Sequence, residues 1–313
     1  MDELTKIGRL TIIGDVGVDL VMGPVEGWPA IGTETIVPHS ETRLGGSAGN
    51  TLLAIRCLGA QSRLLSSTGN DMFGGWLADQ VEGLGGVLSS VDAPTSITTA
   101  IIHACGERSF FTTKGHLEHV SWDSLSAELE DPADGDIALL TGVFLLPKLR
   151  LAYSSLLQEL RDRGYRIALD TGWPSGGWTA AVRREVAGWI AHCDHLLVNE
   201  TELVHLTGES DVERALAAVH PLLRTGATLV AKLGANGAIG LQRGSTCSAK
   251  APDVTPFDTI GAGDSFNAGY LHARLSGCDL TEALNAGCTV ASQIIARFPR
   301  HAIAPGELAS AAE

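Results

Sequence analysis

Short apolar runs alternate with amphipathic stretches along most of the chain. The runs are typical of buried strands and cover residues 10–14, 63–66, 137–141, 167–170, 195–199, 228–232 and 238–242. The stretches between them carry apolar residues at helical spacing and predict helices over residues 47–60, 72–84, 149–163, 178–191, 211–225, 263–275 and 280–297. This alternation predicts an α/β fold in which right-handed crossovers build a mostly parallel sheet with helices on both faces.

Two segments interrupt the alternation. Residues 33–44 and 96–113 are rich in Thr, Ile and Phe at a period close to two, which is typical of antiparallel strands. Because the two segments share this character, we expect them to pair as a small sheet that stands off the main domain. The sequence therefore predicts a single domain over residues 1–313, with an inserted lid formed by about residues 15–44 and 96–113.

Composition narrows the classes of function. The chain of 313 residues has a formal net charge of −14, so it has no general attraction to nucleic acid or to an anionic membrane. No apolar run approaches the roughly 20 residues that span a bilayer, and the first residues are polar, unlike a signal peptide. The six cysteines form no Cys-x-x-Cys pair and are expected to be reduced, which favours a cytoplasmic protein.

The most specific feature is the segment Asp258–Asp264, which reads DTIGAGD and precedes an apolar helix. Small residues at the start of a helix let the backbone N–H groups of Gly261, Ala262 and Gly263 converge on an anion. Asp264, in the first helical turn, would accept a proton from a hydroxyl while those groups hold a transferring phosphoryl group. The alternative is that Asp264 only complements the helix dipole and that the glycines only turn the chain.

A second glycine cluster, Gly45–Asn50, reads GGSAGN and contains the Gly-x-Ser-x-Gly pattern of a hydrolase nucleophile. That pattern requires a buried strand directly before it, whereas the residues before Gly45 are polar. We therefore expect Ser47 to be an N-terminal residue of a helix. The functional alternative is that Gly45 and Gly46 let a polar substrate approach the backbone, with the amide of Asn50 one turn further on.

Polar residues also follow several of the predicted strands, where α/β sheets bind ligands. Asn199 and Glu202 fit a helix capping box, and equally a pair that orders Mg²⁺ and its waters. The turn Lys232–Gly237 is typical of a hairpin, or of a glycine backbone that lies against a nucleotide. Asp19 follows the first strand and offers a carboxylate to sugar hydroxyls, and no P-loop pattern occurs.

Taken together, these segments resemble the PfkB-type, or ribokinase-like, family of carbohydrate kinases. The segment Gly45–Asn50 resembles the N-terminal signature of the family, and Asp258–Asp264 matches its C-terminal Asp-Thr-x-Gly-Ala-Gly-Asp signature. Asn199–Glu202 resembles its Asn-x-x-Glu motif, and Lys232–Gly237 its nucleotide-binding turn. The resemblance covers about residues 8–308 and implies a ribokinase-like three-layer α/β/α core with a small β-sheet lid.

The resemblance also implies roles for individual residues. Asp264 is expected to be the catalytic base, beside an anion hole formed by Gly261, Ala262 and Gly263. Glu202 is expected to bind Mg²⁺ through water. The implied sugar-binding residues are Asp19, Gly45, Gly46 and Asn50. The implied ATP-binding residues are Asn199, Lys232, Gly234 and Gly237.

The implied activity is ATP- and Mg²⁺-dependent transfer of the γ-phosphoryl group to a primary hydroxyl of a sugar or sugar-like alcohol. In ribokinase-like dimers the lids pair, so a homodimer through the lid strands is expected. One alternative is a nucleoside kinase, in which Trp28, Phe110 and Phe111 either stack on the base or only pack the lid sheet. Two further alternatives are a serine hydrolase that uses Ser47 and a non-catalytic ligand-binding regulator.

Three segments depart from the family pattern. Leu140–Phe144 lacks the acidic residue of ribokinases proper, so the sugar need not be ribose. Phe298–His301 stands where the family often has Gly-Ala, which leaves a monovalent-cation site an open question. Asp170–Pro174 stands where many members have Asp-x-Asn, and the sequence assigns Asp170 no role.

Overall fold

Alternating strands and helices make up most of the molecule. The computed structural model describes residues 8–300, 303, 304 and 306–308, so His301, named above, lies outside the described residues. Within that part of the chain the strands are β1 (Leu10–Ile13), β2 (Gly17–Val25), β3 (His39–Gly45), β4 (Ser62–Gly69), β5 (Gly86–Val91), β6 (Ile97–His103), β7 (Arg108–Thr112), β8 (Ile137–Leu140), β9 (Arg166–Leu169), β10 (His195–Asn199), β11 (Thr228–Lys232), β12 (Ala238–Gln242) and β13 (Ser245–Ala249). The α-helices are α1 (Ser47–Cys57), α2 (Met72–Val81), α3 (Trp122–Ser126), α4 (Pro147–Leu151), α5 (Tyr153–Arg163), α6 (Ala180–Ile190), α7 (Glu200–Thr207), α8 (Val212–Val219), α9 (Ala262–Leu275) and α10 (Leu280–Ile295).

In the described part of the chain, nine strands form the central sheet, in the order β13-β12-β11-β10-β9-β8-β1-β4-β5. Neighbouring strands are parallel from β5 to β11, whereas β12 and β13 pair antiparallel at one edge. This confirms the predicted mostly parallel sheet. Its inner strands are continuous apolar runs because both faces are covered, and every residue of β8 is fully buried.

Helices cover both faces of this sheet. Ile12 and Ile13 are neighbours on β1 and point to opposite faces, so they belong to separate apolar clusters. The cluster around Ile13 includes residues of α5, α6, α7 and α8, and the cluster around Ile12 includes residues of α1, α2, α9 and α10. These layers are the predicted three-layer α/β/α core. Among the described residues, none of the helices has the length and apolar character needed to cross a bilayer.

A second, smaller sheet has the strand order β3-β2-β6-β7. We call this sheet the lid. β6 and β7 fall within the segment 96–113, where strands were predicted. The prediction that residues 33–38 also form a strand is wrong, because β3 begins only after Pro38, which lacks the N–H that a strand ladder needs.

The lid rests on the segment that leads into α9. Val21 of β2 and Ala100 of β6 lie on one face of the lid and pack against Ile260. The sequence pattern did not predict β2, because Gly17, Gly23 and Pro24 are more typical of a loop. The missed strand carries Asp19, so it is the element that brings this residue to the main domain.

Candidate active site

Polar residues meet at one edge of the central sheet. Asp15 and Asp170 lie just beyond the carboxyl ends of β1 and β9, while Asn199 and Lys232 are the last residues of β10 and β11. These strands are parallel and β9, β10 and β11 are direct neighbours, so their carboxyl ends open at the same edge. Ligands of open α/β sheets bind at this edge.

The start of α1 is fixed by Asp15. The Ser47 N–H donates to the Asp15 carboxylate, with distances of 3.1 and 3.2 Å to its two oxygens, and the Ala48 N–H donates to the Asp15 carbonyl at 3.2 Å. Gly46 caps the helix at φ +80°, where a Cβ atom would lie 2.5 Å from that carbonyl oxygen. Ser47 is therefore the first residue of α1, as predicted. The strand before it, β3, belongs to the lid and not to the central sheet, so the hydrolase nucleophile geometry is absent.

Asp19 is held where the lid joins the core. Its carboxylate packs directly on the backbone of Gly45, and a Cβ atom at that position would lie 2.1 Å from Asp19 Oδ1. Burial raises the pKa of Asp19 to about 6, although the nearby Arg43 guanidinium opposes the shift. The structure thus brings together two of the predicted sugar-binding residues, and only glycine fits beside this carboxylate.

Asp264 and Asn50 are also brought together. Asp264 is the third residue of α9, and Asn50 Nδ2 donates to its Oδ2 at 3.1 Å. Burial, reinforced by the Asp170 charge, raises the pKa of Asp264 well above its usual range. A raised pKa makes a carboxylate a stronger proton acceptor once it is ionised.

The first turn of α9 presents backbone donors beside this carboxylate. Gly261 caps the helix at φ +70°. In the turn that leads into the helix, the Ala262 N–H donates to the Thr259 carbonyl at 3.2 Å. Among the described residues we find no acceptor for the N–H groups of Gly261, Gly263 and Asp264. Donors of this kind at a helix N-terminus are the groups that bind anions in proteins. The sequence had predicted the N–H groups of Gly261, Ala262 and Gly263 as the donors. The Ala262 N–H is instead bonded to Thr259, and the Asp264 N–H is available in its place.

A buried network links the ends of β9 and β11 to α9. Lys232 Nζ donates to Asp170 Oδ2 at 2.7 Å and to Asn267 Oδ1 at 3.2 Å, and Asn267 Nδ2 donates to the same Asp170 oxygen. Burial lowers the pKa of Lys232, but the charges of Asp170 and Glu202 outweigh it and raise the pKa overall. The sequence assigned no role to Asp170 or Asn267. Asn267 lies in the middle of a helix and carries no local signal.

Asn199 and Glu202 form the predicted capping box. The Glu202 N–H donates to Asn199 Oδ1 at 2.8 Å, and the Asn199 N–H donates to Glu202 Oε2 at 2.9 Å. Burial and the Asp170 charge raise the pKa of Glu202 to about 7. Glu202 is thus a buried carboxylate that has excess negative charge nearby.

A cavity of about 630 Å³ opens beside this network. It is lined by all four residues predicted to bind ATP, namely Asn199, Lys232, Gly234 and Gly237. Its other walls are mostly apolar and were not predicted, because ordinary apolar residues carry no functional signal; they include Pro252, Val254, Phe266, Cys288 and Ile295. Arg108, from β7 of the lid, also lines the cavity.

The aromatic residues of the lid lie on opposite faces of its sheet. Phe110 pairs with Ala100 and so lies on the face that packs towards Ile260. Phe111 pairs with Thr99 on the opposite face, where it lines a shallow pocket with Trp28. For Phe111 and Trp28, which lie on the face away from Ile260, the structure favours the interpretation that these rings only pack the lid.

Backbone donors at the start of α9, the Asp264 carboxylate beside them and the adjoining cavity of about 630 Å³ are features that a phosphotransferase with an alcohol group as acceptor requires. The model of the pfkB family carbohydrate kinases matches residues 9–299, so the chain belongs to this family and is a carbohydrate kinase. This confirms the resemblance drawn from the signatures.

Several relatives extend the comparison. The chain is 29% identical to the 1-phosphofructokinase of Haloferax volcanii over 232 residues, which are 71% of this chain and 70% of that protein. It is 29% identical to the 2-dehydro-3-deoxygluconokinase of Escherichia coli K12 over 215 residues, 63% of this chain and 69% of that protein. The structure of Arabidopsis thaliana ribokinase complexed with ribose and ATP superposes with a TM-score of 0.78 at 22% identity, covering 98% of this chain and 99% of that one. The fold is therefore ribokinase-like.

Proposed function

We propose that this protein uses Mg²⁺-ATP to phosphorylate a primary hydroxyl of a sugar or sugar-like alcohol, with Asp264 as the catalytic base. The observation that carries the proposal is the first turn of α9. There the half-buried Asp264 carboxylate, whose pKa is raised, lies directly beside backbone N–H groups that have no acceptor among the described residues. Phosphoryl transfer needs a proton acceptor for the attacking hydroxyl and fixed donors for the charge on the transferring group, and this turn supplies both.

The proposed step is a direct transfer of the γ-phosphoryl group to the hydroxyl. Ionised Asp264 takes the proton of the sugar hydroxyl while the hydroxyl oxygen forms a bond to the γ-phosphorus. The bond from the γ-phosphorus to the bridging oxygen breaks, and ADP leaves with that oxygen. The N–H groups of Gly261 and Gly263 hold the transferring group, so catalysis rests on positioning and electrostatics.

The charges of the site fit a magnesium nucleotide. Asp170, Glu202 and Asp264 act on one another and on Lys232, and the pKa values of Glu202 and Asp264 are raised by burial and by the Asp170 charge. Mg²⁺ binds with few carboxylates and keeps waters and phosphate oxygens. Glu202 and Asn199 would hold it through water, and Mg²⁺ would neutralise charge on the phosphates. Lys232, Gly234 and Gly237 would line the nucleotide.

The sugar would lie between the lid and α1. Asp19 would accept hydrogen bonds from sugar hydroxyls, against the backbone of Gly45 and Gly46 and the amide of Asn50. The lid strand that carries Asp19 would then close over the sugar and exclude water, which strengthens every electrostatic contact in the site.

A substrate panel tests this proposal. ADP release from Mg²⁺-ATP would be measured with fructose 1-phosphate, fructose, 2-dehydro-3-deoxygluconate, deoxyribose, ribose and adenosine. We expect turnover with at least one sugar, which is absent without Mg²⁺ and mostly lost in the Asp264→Asn variant. Turnover with adenosine alone would support the nucleoside alternative, and nucleotide binding without turnover on any acceptor would support a non-catalytic regulator.

We also propose that the protein forms a homodimer through the outer face of the lid. Phe111 of β7 and Trp28, in the segment between β2 and β3, are exposed and line one pocket there, and Ile31 and Ile36 of the same segment are exposed as well. Four exposed large apolar residues in and next to one small sheet are unusual for a surface in contact with water alone. Sedimentation velocity should give a dimer that Phe111→Glu weakens, and a wild-type monomer at high concentration would contradict this proposal.

A further inference from the structure

A buried guanidinium lies directly behind the anion site. Arg300 follows α10 and is only 9% exposed. Its Nη2 donates to the Asp258 carbonyl at 2.8 Å and to Asp258 Oδ1 at 2.7 Å, and its Nη1 donates to the Ile260 carbonyl. Three oxygens of the segment that enters α9 therefore converge on one cationic group.

This set of oxygens is chemically a cation site. Backbone carbonyls together with a carboxylate are the ligands that hard cations take in proteins. If they were left without a partner inside the protein, these oxygens would destabilise the segment. Here the guanidinium already fills the space among them, so the residues present do not fit an additional monovalent ion.

We propose that Arg300 is a built-in cation that positions the anion site of α9, so that this kinase needs no added monovalent cation. The proposal rests on the proposed phosphotransfer at Asp264. Arg300 acts here as a positioning residue, because its contacts are to the segment Asp258–Ile260 and not to the unpaired N–H groups.

The charges around Arg300 support this role. Arg43 Nη1 lies 3.1 Å from Asp258 Oδ2 and 3.5 Å from Glu41 Oε2, and the Arg300 N–H donates to Glu41 Oε1 at 3.0 Å. Two guanidinium groups thus face the carboxylates of Glu41 and Asp258, and the charge of Asp19 also acts on Arg300. Burial lowers the pKa of Arg300 to about 10, which leaves it charged at neutral pH.

The contact to Ile260 connects the cluster to the chemistry. The Ile260 carbonyl directly precedes Gly261, whose positive φ turns the chain into α9. The Ile260 N–H donates to Asp258 Oδ1 at 2.8 Å, so the same carboxylate holds the guanidinium and the turn. The Ile260 side chain packs under Val21 and Ala100 of the lid. Arg300 therefore fixes both the N–H donors and the surface on which the lid closes.

Two measurements on the wild-type protein test the proposal without any substitution. Turnover, and calorimetric binding of a non-hydrolysable Mg²⁺-ATP analogue, would be compared in potassium and in tetramethylammonium salts at equal ionic strength. We expect both to be the same in the two salts, and a potassium requirement in either would overturn the proposal. Analogue binding without turnover on any acceptor would sink the proposed function alone and leave the binding comparison as the test of this inference.

Substitutions separate positioning from plain structural support. Arg300→Gln should lower kcat by about 10- to 100-fold, as expected when charge-assisted hydrogen bonds are lost. Guanidinium or potassium ions should restore part of that loss in the variant and change nothing in the wild type. Arg300→Lys keeps the charge, so its kcat should lie between that of Arg300→Gln and that of the wild type. The control Arg297→Gln removes a half-exposed arginine just after the same helix and should keep wild-type kinetics. Wild-type kcat in Arg300→Gln, or a loss that no cation restores in a folded variant, would contradict the proposal.

Discussion

Two buried charged clusters lie on either side of the segment Asp258–Gly263, and they differ in charge balance. On the substrate side, Asp170, Glu202 and Asp264 surround Lys232. On the far side, the carboxylates of Glu41 and Asp258 face the guanidinium groups of Arg43 and Arg300.

The difference in charge indicates that the cluster around Lys232 takes part in the reaction, whereas the cluster around Asp258 holds the segment in position. Uncompensated buried acids raise one another's proton affinity, and the pKa of Glu202 rises to about 7 for this reason together with burial. Such an arrangement is unfavourable until a metal ion or a proton arrives, and it is typical of functional sites. On the far side both carboxylates lie beside a guanidinium group, so this cluster can hold the turn rigidly without a metal ion. The following predictions test this contrast, from the largest expected effect to the smallest.

Asp264→Asn should lower kcat by about 10²–10⁴-fold, because it removes the proton acceptor. Analogue binding should be retained. The variant should also melt at a higher temperature than the wild type above neutral pH. A carboxyl with a raised folded-state pKa loses its stabilising contribution as the pH rises through that pKa, whereas Asn does not titrate. Steady-state kinetics and thermal melts against pH check both parts, and wild-type turnover would rule out Asp264 as the base.

Asp258→Asn should destabilise the protein by about 3–5 kcal/mol, because it leaves two buried guanidinium groups without their shared carboxylate. The matched change on the substrate side is Asp170→Asn. It removes one of three acids around a single lysine, so it should lower the free energy of unfolding by less. Urea unfolding of the two variants gives the comparison. Equal losses would contradict the difference in charge balance.

Glu202→Gln should raise the Mg²⁺ concentration for half-maximal activity by about 10- to 100-fold, as is typical when an outer-shell metal contact is lost. In the wild type the Mg²⁺ requirement should also rise as the pH falls through about 7, because a protonated Glu202 no longer attracts the hydrated ion. The variant should lack this pH dependence. A pH-independent Mg²⁺ requirement in the wild type would remove Glu202 from the metal site.

Gly45→Ala should raise KM for the sugar and destabilise the protein by about 1–3 kcal/mol, because the new methyl group would displace the Asp19 carboxylate. Gly75→Ala is the matched control. Gly75 lies within α2 with open space around its would-be Cβ atom, so alanine should stabilise the protein by about 0.5–1 kcal/mol and leave the kinetics unchanged. Equal effects of the two substitutions would mean that Gly45 is not required for substrate binding.

Local sequence signals predicted the parts of the site that are local in structure. The capping box of Asn199 and Glu202 spans three residues, and the start of α9 lies within the segment that carries its glycines. The lid was predicted only in part, since β2 has the glycine and proline content of a loop and residues 33–38 lack a strand. β-strand formation depends on which neighbour is available to pair, and that is a tertiary property.

The sequence by itself determined the alternation of strands and helices and the family. Only the tertiary structure decided which charges meet. Lys232 contacts Asp170 across 62 residues of chain and Asn267 across 35, while Asp258 meets Arg300 across 42 and Arg43 across 215. The physical reason is that such pairs depend on the order of strands in the sheet and on where the lid rests. Neither leaves a periodic or spacing signal among the residues themselves, although together they hold the charges of the site in place.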